Sequence, residues 1–335
     1  MPKEWNKKLA RSGELTAPAG EHGGMQDTRH RVLDAIADGP VAGPALADRL
    51  DVSRAAVWKH IEALREAGFA IDGGDDGYEL VSTPEFGGES VEFGLDAPFE
   101  VEYHDTIPST NDRARELAAD GREDVVVLAD EQTGGRGRLD REWASPSGGI
   151  WLSILLRPTV PPADAPAFTL AAAVATARAA REAGVDATIK WPNDVLVADG
   201  DGRQRKLTGI LTEMEGEADR VSWLVVGTGI NANVDAAELV DGATSIREEN
   251  GDVNRRVFTQ RVLEVFHELR SDLNAVVPAW RDLADTLGRR VRVDTPGGEV
   301  VGEAVGVEFP GTLVVETDDG TVRVSAGDCE HLRAV

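Results

Sequence analysis

GGRGRLDREW, residues 134–143, interleaves Gly134, Gly135 and Gly137 with Arg136, Arg138 and Arg141. A glycine-rich turn marks a dinucleotide fingerprint when it completes G-x-G-x-x-G and opens a helix. Here the pattern is not completed and no helical periodicity follows, which argues against that fingerprint. What remains is flexible backbone carrying three planar cations. Glycine lets a backbone swing and approach a ligand closely, and the guanidinium fork matches carboxylate and phosphate. The stretch reads as a loop that closes over an anion.

Strands and helices mix on both sides of this loop. Residues 125–129 and 150–156 read as buried strands, 164–183 as an Ala-rich helix closed by Gly184, and 257–273 as an amphipathic helix. Residues 188–191 and 195–197 are strands flanking a Pro-Asn-Asp turn, and 207–214 with 221–226 form a further pair. Strands do not alternate regularly with helices, so the fold class expected for 96–287 is α+β. Residues 288–335 change to short β runs separated by Pro296-Gly297-Gly298 and Asp318-Asp319-Gly320, the pattern of a small β barrel.

Upstream, 28–82 predicts three short helices and a hairpin. Val32, Leu33 and Ile36 share one face, Leu46 and Leu50 a second, and Val57, Ile61 and Leu64 a third, in a helix capped by Ser53 and ended by Gly68. That is a winged helix-turn-helix. Its third helix turns Arg54, Trp58, Lys59 and Arg65 outward, and these with Ser53 are candidate DNA contacts. The stretch 53–68 carries a net charge of +1, while 28–82 holds six basic and ten acidic residues. A winged helix that serves only for packing is the competing reading. Residues 83–95 are expected to be a linker. Residues 1–27 are expected to be disordered, with Met25 a candidate translation start.

The 335-residue length predicts two or three domains. No apolar run is long enough to span a bilayer, and the N-terminus lacks the apolar core of a secretory signal. Cys329 is the lone cysteine, so no disulfide forms within the chain and no cysteine-based metal cluster is expected. These features predict a cytoplasmic protein. The net charge is −25, with only six lysines among 35 basic residues, a balance that suggests adaptation to high salt. At about 1 M salt the Debye length falls to about 3 Å, so the acidic balance says little about partners.

Lysine scarcity draws attention to Lys190, in KWPNDV (190–195), which ends a strand at a tight turn where an ammonium can reach a ligand. Chance retention is the alternative. KLTGIL (206–211) follows it. In PSTND (108–112) Ser109 and Thr110 are N-cap types before a helix, where free N–H groups and partial positive charge attract anions; simple capping explains that stretch equally. Trp143 either stacks on a base or fills the core. In VGTGINANV (226–234) Gly227 and Gly229 permit close approach, and Asn231 and Asn233 offer hydrogen bonds; a strand running into a turn is the plain reading. The chain has no G-x-x-x-x-G-K-[ST], G-x-S-x-G or H-E-x-x-H, and its six histidines do not cluster.

Taken in order, S-T-N (109–111), Q-T-x-G-R-G-R-x-x-R-x-W-x-S-P (132–146), K-W-P-N-D, K-L-x-G-I-L and G-x-G-I-N resemble the biotin–protein ligases. The resemblance spans residues 28–335, and the winged helix is similar to that of bifunctional members that also repress biotin genes. It implies a class II synthetase-like central domain and an SH3-like C-terminal barrel. It also implies a two-step reaction: biotin and ATP give biotinyl-5′-adenylate and pyrophosphate, then a lysine of a carboxylase's carrier domain takes the biotin. By the same resemblance Ser109, Thr110, Asn111 and Gln132 line the biotin pocket. Arg136, Gly137 and Arg138 belong to a loop that orders over biotin and adenylate. Lys190 sits by the carboxylate and α-phosphate, Trp143 by the adenine, and Gly209 and Asn231 beside the ligand. Lys190, Arg136 and Arg138 are the candidates for the chemistry. Mg²⁺ accompanies ATP without a protein ligand that can be named. The implied partners are the carrier domain, an operator DNA and a second copy of the chain, with no membrane. Asp140 departs from the glycine common in the family at that point. A repressor without transfer activity and a lipoate or octanoate ligase are the alternatives; the intact KWPND and GRGR motifs favour the biotin ligase.

Overall fold

The computed structural model describes residues 24–332. It divides into two compact units, one ending at Asp96 and one beginning at Ala97. The disorder expected for the N-terminus falls mostly outside the described residues. Its boundary moves, because a helix already runs over Gly24–Ala37.

In the first unit, helices Gly43–Leu50 and Arg54–Glu66 follow that first helix. The Ser53 hydroxyl accepts from Ala56 N at 3.1 Å, the cap expected from the sequence. Val32, Leu33, Ile36, Leu46, Val57, Ile61 and Leu64 form one core, because each helix repeats an apolar residue every three to four positions. Strands β1 (Ala70–Gly74) and β2 (Gly77–Ser82) pair as the antiparallel wing. Gly77 is required there: φ is +121°, and a Cβ would lie 2.3 Å from the Val41 carbonyl carbon. The expected linker 83–95 is instead folded. It contains helix Gly88–Glu92, with Val91 buried, and Phe93 meets Phe69 edge-to-face. Arg29–Glu89 (2.6 Å) and His30–Glu92 (2.8 Å) ion pairs tie this helix to the first one. Loop composition hid one apolar pair strong enough to dock the segment.

The second unit is built on a seven-stranded sheet. Its strands are β3 (Glu100–Ile107), β4 (Val125–Gln132), β5 (Ile150–Leu156), β6 (Ala187–Lys190), β7 (Asp194–Ala198), β8 (Gln204–Gly216) and β9 (Val221–Ile230). Their order is β3-β4-β5-β9-β8-β7-β6, antiparallel except for β3 with β4. β3 was not expected from the sequence: as an edge strand it buries only Val101 and Ile107, so its polar pattern resembles a loop. Side chains alternate between the two faces. On one face Val125, Val127, Leu155 and Val225 pack under helix Thr110–Ala119. On the other, Thr212 of β8 meets Thr169 of helix Pro166–Glu182 at 2.7 Å. That helix is Ala-rich because it is buried along most of its length, between the sheet and helix Arg255–Ser271.

The chain ends in a second sheet of β10 (Arg290–Thr295), β11 (Gly298–Glu308), β12 (Thr312–Thr317), β13 (Gly320–Val324) and β14 (Asp328–His331), ordered β13-β12-β11-β10-β14. All pairings are antiparallel, and no ladder joins the edge strands β13 and β14, so the five strands expected as a small barrel form a sheet that is not closed by hydrogen bonds. It is fastened to the larger sheet's periphery by Trp191 Nε1 donating to Gly311 O at 2.8 Å. No helix among the described residues is long and apolar enough to cross a membrane.

Candidate active site

The start of helix Thr110–Ala119 and the end of β4 meet at one end of a cleft of about 720 Å³, within the range of small-molecule sites. Ser109 does cap the helix, accepting from Asp112 N at 3.3 Å. Thr110 and Asn111 do more. Gln132 Oε1 accepts from Thr110 N (2.8 Å) and Thr110 Oγ1 (3.0 Å), and Gln132 Nε2 donates to Ser145 Oγ at 3.1 Å. The buried Ser153 hydroxyl reaches both Thr110 Oγ1 (2.8 Å) and Asn111 Oδ1 (2.6 Å), and Asn111 Nδ2 donates to Glu213 at 2.7 Å. The result is a continuous chain of amide, hydroxyl and carboxylate groups along the cleft wall. Asn111 fits because residue 227 is glycine: a Cβ there would lie 2.1 Å from Asn111 Oδ1. Ser153 and Glu213 were not foreseen; their only sequence signal is a polar residue at an inward position of a buried strand.

The basic loop crosses the mouth of the cleft. None of its glycines has a left-handed φ; that conformation falls on Leu139 (φ 56°), which is exposed. Gly135 serves close packing, since a Cβ would come within 2.5 Å of Trp143 O and 2.6 Å of Ser145 Oγ. Gly137 has free space around it, with nothing nearer than Arg141 O at 3.6 Å. Arg136 pairs with Asp112, its Nη2 lying 2.5 and 2.7 Å from the two carboxylate oxygens. Arg138 donates to Asn193 Oδ1 (2.9 Å) and to Gly327 O (2.7 Å), and Arg141 to Asp328 (2.7 Å). The loop is thus pinned between the larger sheet and the C-terminal sheet. The Asp140 side chain lies outside the described set.

Two lysines stand near this end of the cleft. Lys190 is not among the residues lining the cleft; Lys206 is. β6 is the sheet's outer edge, but Lys190 pairs across the ladder with Asp194, which lines the cleft, so the two lysines flank β7 from either side. Lys190 also acts on Cys329, whose thiol burial pushes up to about 11 against the lysine's opposing charge. Lys206 Nζ lies 2.7 Å from Asp194 Oδ1 and 5.0 Å from the centre of the Trp143 ring. A bulge puts it there. The β7–β8 register slips, so that Val195 pairs with Thr208 and Leu196 with Lys206. Strict alternation back from Thr212 would send Lys206 to the opposite face; the extra residue turns it into the cleft.

Trp143 lies across β8 and β9, where Gly209 and Gly229 leave room: a Cβ on Gly229 would meet its Nε1 at 2.6 Å, and one on Gly209 its Cζ3 at 2.9 Å. Its ring also packs beside Trp151 and Val234, the packing role the sequence allowed, while it lines the cleft as well. Asn231 does not line the cleft. It is buried and donates to Thr244 O at 3.0 Å, bracing the turn after β9. Five basic and five acidic side chains line the cleft, a locally neutral surface on a chain of net charge −25, so an anion entering here escapes much of the general repulsion. No group of three His, Cys, Asp or Glu that could hold a metal ion occurs among the described residues.

In the first unit Ser53, Arg54, Trp58 and Lys59 lie on the exposed side of one helix, Trp58 being 55% exposed. Arg65 does not join them: its guanidinium donates to Ile71 O (2.8 Å) and Glu62 (2.7 Å) and holds the wing strand.

A cleft with a polar, mostly uncharged wall at one end and cations at the other suits an acid with a polar head group. On this fold it defines an acid-activating ligase domain carried beside a winged helix. Comparison with known proteins makes the class specific. Residues 103–231 match the biotin/lipoate A/B protein ligase family, 286–332 the biotin protein ligase C-terminal domain, and 33–85 a helix-turn-helix domain. The bifunctional ligase/repressor BirA of Bacillus subtilis is 37% identical over 308 residues, covering 87% of this chain and 93% of that protein. The biotin–[acetyl-CoA-carboxylase] ligase of Mycobacterium tuberculosis is 35% identical over 67% of this chain and 86% of its own. The solved structure of the biotin protein ligase from Aquifex aeolicus in complex with biotin and ATP superposes with a TM-score of 0.59 at 27% identity, covering 70% of this chain and 99% of that one. The chain belongs to the biotin protein ligase family.

Proposed function

We propose that this chain is an ATP-dependent biotin–protein ligase. The observation that carries the reading is the polar chain Gln132–Thr110–Ser153–Asn111 in one cleft with Lys206, Arg136 and Arg138. The amide and hydroxyl groups offer both donors and acceptors, as a cyclic urea requires. The cations stand where a carboxylate and a triphosphate must be brought together. In the first step a biotin carboxylate oxygen attacks the α-phosphorus of ATP; the new C–O–P bond forms as pyrophosphate leaves. Lys206, Arg136 and Arg138 offset the repulsion of the two anions and the charge developing at phosphorus. No protein nucleophile takes part. In the second step the carrier lysine's amine attacks the biotinyl carbonyl and AMP leaves.

Mg²⁺ would enter on the triphosphate of ATP: five carboxylates line the cleft, but among the described residues no three of them gather into a group that could hold a metal ion. Arg136 exchanges Asp112 for the ligand's anion, so the ion pair stores the loop near its working position. Loop closure then shields a mixed anhydride from water. The test is incubation of the purified chain with ATP, Mg²⁺, labelled biotin and a carrier domain. Label on the carrier lysine is expected, and its absence would refute the reading. Lipoate in parallel should give none.

A second role rests on a separate observation, the exposed Arg54, Trp58 and Lys59 on a capped helix. We propose that this helix reads operator DNA upstream of biotin genes in the major groove. Backbone-driven affinity falls steeply with salt, so a gel shift at molar salt decides it. Retained binding that is lost in Lys59→Ala supports the role; no shift at any salt overturns it. Self-association, also implied by the family, is read by sedimentation with and without biotin and ATP.

A further inference from the structure

A buried polar relay joins the C-terminal sheet to the KWPND turn, and nothing in the reaction described so far uses it. Thr286 is fully buried between helix Val276–Arg281 and β10. Its hydroxyl accepts from Trp191 N at 2.9 Å and lies 3.0 Å from His331 Nε2. His331 Nδ1 lies 3.4 Å from Asp285 Oδ2, and Asp285 is held in turn by Arg289. His331 and Asp285 are only 12% and 13% exposed. The Asp285 carboxylate favours the proton on His331 Nδ1, which leaves Nε2 as the acceptor. Thr286 then donates to Nε2 and accepts from Trp191, while Asp285 Oδ2, which makes no hydrogen bond, acts on His331 through its charge. An aspartate, a histidine and a hydroxyl in this order resemble a hydrolytic triad, but a hydroxyl with no solvent access reaches no substrate. Its acceptor function on the Trp191 backbone is what remains.

Trp191 is two residues from Asn193, and Asn193 Oδ1 receives Arg138 of the loop. Asn193 Nδ2 also donates to Ile210 O at 3.0 Å, on the strand that carries Lys206. The relay therefore sets the height of the turn on which the closed position of Arg138 depends. The polar chain at the other end of the cleft is built on β4, β5 and helix Thr110–Ala119, and reaches β8 only at Glu213, three residues beyond Ile210. We infer that Thr286 and His331 are positioning residues for the nucleotide half of the site, acting through the Trp191–Asn193 turn on Arg138. The inference rests on the ligase reading above. It predicts an asymmetric defect: weakened ATP binding and a leaky adenylate, with biotin recognition intact.

The test is steady-state kinetics on the full chain with Thr286→Val, Thr286→Ser and His331→Gln, with thermal melting of each. Leaving a buried N–H without an acceptor and displacing a turn by under 1 Å can cost about 10²-fold at a site that depends on it. Thr286→Val is expected to raise the KM for ATP by about tenfold or more and to release pyrophosphate in excess of carrier labelling, with the KM for biotin within about twofold of wild type. Thr286→Ser, which keeps the hydroxyl, should restore both. His331→Gln should move the same parameters less, and it decides the matter if Thr286→Val fails to fold. Equal changes in both KM values, an unchanged KM for ATP in a folded Thr286→Val, or failure of serine to rescue would each overturn the inference. Absence of carrier labelling by wild type would instead overturn the ligase reading, so the two failures are distinguishable.

Discussion

Replacing Lys206 by methionine keeps the stem's volume and removes the charge. In the cleft the ammonium neutralises Asp194 at 2.7 Å and lies over Trp143. Two losses follow. An incoming carboxylate or α-phosphate loses a cation; at about 4 Å and an effective dielectric of about 20 a unit pair is worth about 4 kcal/mol. Asp194 then faces the triphosphate uncompensated. Because Lys206 is a third exposed (33%), solvent screens part of this. The expected cost sits near the range for losing one preorganised donor, about 10²–10³ in kcat for adenylate formation. Biotin-dependent exchange of labelled pyrophosphate into ATP reads that step without the carrier. Lys190→Met should lose less than Lys206→Met, since Lys190 borders the cleft through its ladder partner Asp194 rather than lining it. Adding Asp194→Asn to Lys206→Met should recover part of the loss, because the uncompensated carboxylate goes with it. A Lys206→Met variant that exchanges within tenfold of wild type, or a Lys190→Met variant equally impaired, would refute the assignment (tenfold being about 1.4 kcal/mol).

Three further outcomes are expected. Ser153→Ala removes the hydroxyl that bridges Thr110 and Asn111; leaving Asn111 Oδ1 without its donor costs about 1–3 kcal/mol, read as a higher KM for biotin with the KM for ATP nearly unchanged. Gly229→Ala drives a Cβ to 2.6 Å from Trp143 Nε1, so the indole must leave the β8–β9 shelf, and isothermal titration should show weakened ATP binding in a chain with an ordinary melting curve. Within the first unit, burial lowers the His30 pKa, but the Glu92 hydrogen bond and the charges of Glu92, Asp34 and Glu89 outweigh it and leave it raised above 6.5. Its contribution to stability is therefore fully present below the unfolded value and lost as pH rises through the folded one. Calorimetry from about pH 6 to about pH 8 should show that loss in the wild type and a flatter profile in His30→Gln; identical profiles would contradict it.

Much of this was legible beforehand because it depends on neighbours in the chain. The Ser53 cap, the buried runs at 125–129 and 150–156 and the helix closed by Gly184 (φ 85°) each follow from a local pattern. The strand β3 was not legible, since an edge strand with two buried side chains lacks a clean alternation. Nor was helix Gly88–Glu92, whose anchor is the contact of Phe93 with Phe69, 24 positions away.

What the sequence by itself determined is the class of chemistry: the serine, threonine and asparagine of 109–111, the arginines of the 134–143 loop and their order along the chain. These are residue identities, and charge and hydrogen-bonding capacity belong to side chains wherever they are placed. How the lysines meet the cleft was decided only in three dimensions. One bulged residue in the β7–β8 ladder turns Lys206 into its lining, while Lys190 on the edge strand borders it through its ladder partner Asp194. The same holds for the loop. Its left-handed turn fell on Leu139 and its tightest glycine serves packing, because the backbone there answers to Trp143, Ser145 and the C-terminal sheet rather than to its own flexibility.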